Sequence, residues 1–131
     1  MISMEDRMAV LDLCANYNFL FDSGEAQAFA DTFIPEGTFE SPSGRSNGHE
    51  ELAAFCREFH EKNPGGMHFN DNHIFEIDGE RILHKCYLSM QVPTEGMVAN
   101  ATVSVVVYHD VIVRTPNGLK FQSRHVKPMG A

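Results

Sequence analysis

The feature that most constrains the fold is the second half of the chain, where β-favouring runs alternate with turns that contain glycine. The runs span about 67–77, 80–92, 97–114 and 118–127. The turns between them are 78–79, 93–96 and 115–118, and each contains a glycine that can take positive φ. Because short turns join antiparallel neighbours, this pattern predicts a meander of four antiparallel strands.

The first half of the chain has mostly helical periodicity. Apolar residues recur every three or four positions from Met4 to about Phe21, which predicts a first helix. A short second helix is predicted over 26–33, ending near Pro35, and a third begins at Gly48 and ends before Asn63. Between these helices, residues 37–41 predict a short strand that stops at a turn over 42–44.

Helices that precede strands in this way predict an α+β domain spanning 1–131, with three helices covering one face of a strongly curved antiparallel sheet. Such a sheet leaves a cone-shaped space beneath the helices. The apolar residues that could line this cone, or instead fill a solid core, are Phe33, Phe39, Phe55, Phe59, Met67, Met90 and Met97.

Composition excludes several classes of protein. The chain of 131 residues is 43% hydrophobic, enough for the core of one domain, and its net charge of -8 disfavours nucleic acid and anionic membranes as partners. It contains no run of about 18 apolar residues and no signal-peptide pattern, so we expect a cytoplasmic protein. Its three cysteines are widely spaced, which favours buried free thiols over disulfides or structural zinc.

Two residues are candidates for acid–base chemistry. His68 begins the first strand of the meander, and an imidazole titrates near neutral pH, so it is a candidate general base. Asp22 ends the first helix, where a cationic or hydrogen-bonding partner would help to hold its charge. The residues alone leave alternatives open, since Asp22 with Glu25 also resembles the start of a helix and His68 could bond to backbone or water.

Three further residues are candidates for substrate binding. Tyr17 could donate a hydrogen bond to a substrate oxygen, although a tyrosine on the core-facing stripe is more often a packing residue. Asn72 shares a strand face with His68 by the two-residue period, but it could equally pair with a neighbouring backbone. Arg124 could bind an anionic group, although a surface ion pair is the commoner role for such an arginine.

A metal site and a nucleotide cofactor are not predicted. His73 lies an odd number of residues from His68, which predicts opposite faces of one strand, and no HxH or HExxH motif is present. The chain also lacks a glycine-rich phosphate loop and a GxSxG motif, so we expect cofactor-independent chemistry.

Several short segments along the chain resemble the SnoaL-like branch of the nuclear transport factor 2 superfamily. They are Asp22-Ser23-Gly24-Glu25 after Tyr17, Pro35-Glu36-Gly37 after Phe29–Phe33, Gly48-His49-Glu50-Glu51-Leu52, His68–Asn72 with Ile74–Gly79, and Tyr108, Asp110, Arg114-Thr115, Gly118, Phe121 and Arg124 near the end. At its reactive positions the chain is most similar to scytalone dehydratase and to a dehydrochlorinase. This resemblance implies a cystatin-like α+β barrel, and it implies that Asp22 and His68 form a catalytic pair.

The sequence also departs from those relatives. It has Phe21 where scytalone dehydratase has a tyrosine, and Val92-Pro93-Thr94 where that enzyme has a second catalytic histidine. It also has Gly118-Leu119-Lys120 where the family usually has a Gly-Trp-Arg phrase. The resemblance therefore implies a related reaction on a different substrate.

Two functional hypotheses follow. The first is a cofactor-independent lyase or isomerase for a small, mostly apolar cyclic compound, with His68 as base, Asp22 orienting it and Tyr17 polarising an oxygen. The alternative is a non-catalytic ligand-binding or subunit-assembly module of the same fold. Under either hypothesis we expect a homodimer or another homo-oligomer, because the alternating run 102–107 offers an apolar outer face to a second subunit.

Overall fold

The structure is a computed structural model that describes residues 1–95 and 100–130. The helices are α1 (Met4–Asp22), α2 (Ala26–Ala30) and α3 (Gly48–Lys62), and the strands are β1 (Phe33–Ser41), β2 (Gly44–Asn47), β3 (Met67–Asp78), β4 (Arg81–Pro93), β5 (Asn100–Thr115) and β6 (Gly118–Lys127). The three predicted helices and the four strands of the meander are all confirmed. Predictions that concern Gly96 and Met97 lie outside the described residues.

The six strands form one curved, unclosed sheet with the helices packed against it, which confirms the α+β class. Their order is β2-β1-β6-β5-β4-β3, and the predicted antiparallel pairing of β3 through β6 is present. The sheet is not wholly antiparallel, however. Strand β1, which comes from the helical half of the chain, pairs parallel with β6.

Helix α1 begins and packs as its sequence predicts. The Ser3 hydroxyl accepts a hydrogen bond from the backbone N–H of Asp6 at 3.0 Å, a standard N-cap contact. The apolar stripe predicted for this helix is buried: Val10, Cys14, Tyr17 and Phe21. Burial of this stripe fixes the rotation of α1 and sets the position of Asp22 at its last turn.

The region around Pro35 differs from the prediction. Helix α2 ends at Ala30, and β1 begins at Phe33, four residues earlier than expected. Pairing with β6 is irregular between Phe33 and Thr38. Proline cannot donate a ladder hydrogen bond and is tolerated at such an irregularity, so Pro35 interrupts the strand ladder and does not mark the end of a helix.

Strand β3 contains an irregularity that affects the candidate site. Asn72 adopts φ 59°, and the pairing of β3 with β4 shifts register between Asp71 and Ile74. An extra residue in a strand reverses the inward and outward alternation beyond it. Residues that follow Asn72 therefore face the opposite way from the predicted alternation.

We expect Asn72 to tolerate glycine but not a β-branched residue. Left-handed backbone costs a β-carbon residue about 1–2 kcal/mol, and asparagine adopts it more easily than valine. Asn72→Gly should retain or slightly raise the free energy of unfolding, whereas Asn72→Val should lower it by about 1–2 kcal/mol. Urea denaturation of both variants measures the difference. Equal stability of the two variants would show that the left-handed backbone does not constrain this position.

The core lies between the helices and the concave face of the sheet. Its largest fully buried apolar side chains include Tyr17, Phe29, Phe33, Leu52, Tyr108, Ile112 and Phe121. Cys14, Cys56 and Cys86 are buried free thiols, as predicted. Among residues 1–95 and 100–130, no helix has the combined length and apolar character needed to cross a membrane.

Candidate active site

Asp22 and His68 meet at the junction of α1 and β3. The Asp22 Oδ1 lies 2.5 Å from the His68 Nδ1, and the Asp22 Oδ2 accepts a hydrogen bond from the His68 backbone N–H at 3.0 Å. The same carboxylate thus fixes both the ring and the backbone of His68. The helix-capping alternative for Asp22 is not observed, because Glu25 stands at the N-cap of α2 and makes no side-chain capping bond there.

This contact fixes the tautomer of the His68 ring. A carboxylate can only accept hydrogen bonds, so Nδ1 must carry the proton that points at Asp22. In the neutral ring, Nε2 then has a free lone pair and can accept a proton. The ring is held between aromatic neighbours, with its centroid 4.7 Å from that of Phe21 and 5.5 Å from that of Phe59.

A close approach of α3 to the end of α1 supports Asp22. The His60 Nδ1 lies 3.1 Å from the Asp22 carbonyl oxygen. The His60 ring also occupies the space that a side chain at position 24 would need, since a β-carbon built on Gly24 would be 2.7 Å from it. With φ at 70°, Gly24 is required for both its backbone conformation and this approach.

His68 lines a cavity between the helices and the sheet, which we call the cone cavity. It has a volume of about 490 Å³ and is mostly apolar, lined by Phe21, Phe39, Phe55, Phe59, Leu88, Met90, Val106 and Val126 among others. Four of the residues predicted to line a cone are present: Phe39, Phe55, Phe59 and Met90. Phe33 instead packs in the core against Phe121, and Met67 lies on the outer side of β3.

A second cavity lies on the other side of His68, between α1 and β3, and we call it the outer cavity. Its volume is about 370 Å³. It is lined by Leu11, Cys14, Ala15, Asn18, Phe19, Asp22, Met67, His68, Phe69, Asn70 and His73. Asp22 contributes to the outer cavity, whereas His68 contributes to both.

The burial of Tyr17 and Arg124 argues against the substrate contacts predicted for them. Tyr17 is enclosed by aromatic rings in the core, and neither it nor Arg124 is among the residues lining the two cavities at His68. Arg124 is fully buried and its Nε and one terminal nitrogen donate to Asp110 at 2.8 and 3.0 Å. We therefore assign neither side chain a substrate contact.

Arg124 and Asp110 form an ion pair inside the core. The guanidinium carbon lies 3.9 to 4.4 Å from the ring centroids of Tyr108, Phe121 and Tyr17, where the faces of aromatic rings attract a cation. Burial alone would raise the pKa of the Asp110 carboxyl, but the Arg124 charge and the hydrogen bonds from His84 and Arg124 hold that pKa below 3.8.

The irregularity at Asn72 also corrects two predictions about β3. Asn72 is exposed and does not line either cavity at His68, so it is not placed beside His68 as the two-residue period predicted. His73, predicted to face the opposite side from His68, lines the outer cavity with it. Asn70, and not Asn72, lines the outer cavity beside His68, and it accepts a hydrogen bond from Asn18 at 2.8 Å.

His73 ends a chain of hydrogen bonds that sequence reasoning missed. The His73 Nδ1 is 2.9 Å from the His84 Nε2, and the His84 Nδ1 is 2.7 Å from Asp110 Oδ2. The sequence carried no local signal for it, because the pairing of β4 with β5 that places His84 opposite Asp110 includes a register shift between Met90 and Gln91. This chain connects the buried ion pair to the wall of the outer cavity.

The two histidines also lie near Cys86 in an arrangement that could bind a metal ion. The planes of the His73 and His84 rings differ by only 18°, and the ring centroids are 5.2 Å apart. That separation is close to the 2.9 Å between the facing nitrogens plus the distance from each nitrogen to its own ring centroid. The two nitrogens therefore point straight at one another, as in an N–H···N hydrogen bond, whereas lone pairs on a shared metal would converge away from that line. Burial also raises the pKa of the Cys86 thiol strongly, which disfavours the thiolate that would bind a metal.

We expect the stability of the protein to fall as the pH drops below about 6.5, in part through His73. Burial, together with the positive charge that His84 and Arg124 present, lowers the pKa of His73 below 6.5, while Asp71 and Asp110 oppose that shift. The unfolded chain then binds more protons than the folded one, so acid favours unfolding between 6.5 and the folded-state pKa. The loss of unfolding free energy from pH 7.5 to 5.5 should be smaller in His73→Gln than in the native protein.

The same comparison has a built-in control. Burial also lowers the pKa of His109, but that residue is present in both proteins and its contribution cancels in the difference. A pH dependence that is identical in the two proteins would show that His73 titrates normally in the folded state.

Comparison with known proteins identifies the family. Residues 3–125 match the model of the SnoaL-like domain. The chain belongs to the SnoaL-like family. That family lies in the superfamily of nuclear transport factor 2-like proteins, as the sequence predicted. No curated protein sequence matches the chain at a significant level.

Solved structures share the fold at low sequence identity. An NTF2-like protein with a cystatin-like fold from Novosphingobium aromaticivorans has a TM-score of 0.87 and 22% identity, with 98% of this chain and 84% of that chain covered. Aln2 from a Streptomyces species has a TM-score of 0.88 and 21% identity, with 98% and 93% covered. A protein from Catenulispora acidiphila, solved in complex with S-DNPA, has a TM-score of 0.83 and 22% identity, with 95% of each chain covered.

Proposed function

We propose that this SnoaL-like protein is a cofactor-independent lyase or isomerase for a small, mostly apolar cyclic compound. The observation that carries the proposal is the 2.5 Å contact between Asp22 and the Nδ1 of His68 on the wall of the cone cavity. Asp22 holds the ring in one tautomer and would stabilise the imidazolium that forms when Nε2 takes a proton.

The direction of Nε2 supports the cone cavity as the substrate site. The two ring nitrogens point away from each other, and Nδ1 points at Asp22, which lines the outer cavity and not the cone. Nε2 is therefore directed away from Asp22. The apolar wall of the cone would exclude water and favour an uncharged ring, and about 490 Å³ is within the usual range for a small-molecule site.

The chemistry is removal of a proton from a carbon beside a carbonyl group. His68 Nε2 takes the proton, and the C–H electron pair moves onto the carbonyl as an enolate. In an elimination that pair then forms a carbon–carbon double bond as a β-hydroxyl leaves as water, taking the proton from His68. In an isomerisation His68 returns the proton to a different carbon. In place of Tyr17, the residues lining the cone that could donate a hydroxyl hydrogen bond to the enolate oxygen are Ser41, Ser43, Ser104 and Tyr108.

The name of one fold neighbour is consistent with a ring compound as substrate. It is a putative aromatic ring hydroxylase from Novosphingobium aromaticivorans, at 19% identity. At such identity this neighbour establishes the fold alone. Its name serves only to choose the compounds for a first assay.

The test is a panel of cyclic β-hydroxy ketones and unsaturated ketones of one to three rings. Product formation is followed by ultraviolet absorbance with the native protein and with His68→Gln. We expect turnover of at least one compound by the native protein and strongly reduced turnover by the variant. Equal turnover by the two proteins would contradict the proposed role of His68.

A second candidate function is a non-catalytic binding or assembly module that forms a homodimer. The observation that favours it is the apolar outer face of β4 and β5, where Val105 is 64% exposed and lies near the exposed Tyr87. Sedimentation at micromolar concentration should give twice the 14.7 kDa chain mass for such a dimer. A 14.7 kDa species alone would contradict it.

A further inference from the structure

The outer cavity carries polar groups that the proposed reaction does not use. Asn18 on α1 is only 8% exposed and lines this cavity, and its Oδ1 has no hydrogen-bond partner among residues 1–95 and 100–130. Its amide orientation is set, because Asn70 donates to the Tyr87 carbonyl oxygen at 3.3 Å and must therefore accept from the Asn18 amide nitrogen. A buried acceptor without a partner is costly, and a donor in the cavity would satisfy it once the Asn18 side chain shifted toward the ligand, because the Oδ1 itself is buried.

The hydrogen-bond chain behind His73 supplies a second acceptor. Asp110 is held as a carboxylate by Arg124 and accepts from the His84 Nδ1. With both rings neutral, the His84 Nε2 accepts from the His73 Nδ1, which leaves a lone pair on the His73 Nε2. His73 lines the outer cavity, and its Nε2 lies on the ring edge away from His84.

The remaining wall of the outer cavity selects against negative charge. Leu11, Phe19 and Phe69 are apolar, and Asp22 presents a carboxylate that would repel an anion. Two acceptors beside apolar side chains fit a ligand that donates hydrogen bonds and carries no negative charge. A volume of about 370 Å³ suits a molecule of one or two rings.

We propose that the outer cavity is a second small-molecule site, distinct from the cone cavity, which binds an uncharged aromatic compound bearing a hydroxyl group. The hydroxyl donates to Asn18 Oδ1 or to His73 Nε2, and the rings pack against Phe19 and Phe69. Because Asp22 lines this cavity and holds His68, a bound compound would also contact the outer side of the candidate catalytic pair.

The test compares three probes of the same ring size at pH 7.5. They are 2-naphthol, which donates a hydrogen bond, 2-methoxynaphthalene, which cannot, and naphthalene-2-carboxylate, which is charged. Binding to the chain of 131 residues is measured by NMR titration, and the site is identified from ligand contacts with methyl groups. Contacts to Leu11 and Ala15 mark the outer cavity, whereas contacts to Leu88 and Val126 mark the cone.

The variants isolate the two acceptors. Asn18→Leu keeps the approximate shape of the side chain and removes its Oδ1, and His73→Phe removes the Nε2. Each should weaken 2-naphthol binding at the outer cavity by about tenfold, the scale of one lost hydrogen bond. The matched control is Asn16→Leu, an exposed position on the same helix that does not line the cavity, and it should bind like the native protein.

The outcomes separate this inference from the proposed reaction. Contacts to Leu11 and Ala15 with weaker binding in Asn18→Leu or His73→Phe would support the second site, whether or not the protein has enzyme activity. Contacts only to the cone methyl groups, equal affinity for 2-naphthol and 2-methoxynaphthalene, or no binding of 2-naphthol up to its solubility would overturn it.

Discussion

Replacing His68 with glutamine should lower the turnover of an accepted cyclic ketone by about 100-fold or more, the usual scale for a lost general base. Glutamine can still donate a hydrogen bond to Asp22, so we expect the variant to fold. The measurement is kcat and kcat/KM on the compound that the native protein turns over fastest. The matched control is His125→Gln, which changes a histidine on β6 that lines neither the cone nor the outer cavity.

The same assay tests whether Asp22 acts through His68. Asp22→Asn should also reduce turnover, because an amide can donate to Nδ1 and thereby favour the wrong tautomer. Since the two residues would act as one unit, the double variant should be little slower than the slower single variant. Additive losses in the logarithm of kcat would mean that Asp22 and His68 act independently.

Removing one partner of the buried ion pair should cause the largest loss of stability. Asp110→Ala leaves Arg124 as an uncompensated charge in the core, which typically costs about 3–5 kcal/mol. A chain of this size has a total stability of about 5–15 kcal/mol, so the loss should lower the midpoint of urea denaturation substantially. A change below about 1 kcal/mol would contradict the buried pair.

A double variant provides the control for the ion pair. Asp110→Leu with Arg124→Met removes both charges and should recover much of the lost stability, since apolar replacements of buried pairs are often well tolerated. The native pair should also give an acid-dependent loss. Because the pKa of Asp110 is lowered in the folded state, its contribution is present above pH 3.8 and disappears as the pH falls through the folded-state value.

The sequence predicted those parts of the fold that depend on local periodicity and turns. The helical spacing of apolar residues in three segments, together with the glycine-containing turns of the meander, was sufficient to place three helices and four strands. Strand β2 was missed because its residues Gly44–Asn47 have no β-favouring pattern, and only backbone pairing with β1 defines the strand. Pro35 was misinterpreted because a proline that ends a helix and one within an irregular strand look alike in sequence.

The candidate site shows the same division between local and tertiary information. The bulge at Asn72 depends on pairing with β4, so a two-residue alternation could not predict that His68 and His73 line one cavity. The burial of Arg124 could not be predicted from the turn at 115–118, because that turn alone would set Asp110 opposite Ser123. An irregularity in the pairing between Val111 and Ile112 brings Arg124 opposite Asp110 instead. The pairing of Asp22 with His68 was implied only by family resemblance.

Isotope exchange measures proton removal by His68 without the natural substrate. A carbon acid such as 2-tetralone is incubated with the protein in D₂O, and loss of the proton signal beside its carbonyl is followed by NMR. This assay needs only a ring ketone that enters the cone. If His68 is the base, the native protein should catalyse the exchange, and His68→Gln should reduce the catalysed rate by about 100-fold. Exchange at the same rate in both proteins would contradict a role for His68 as the base.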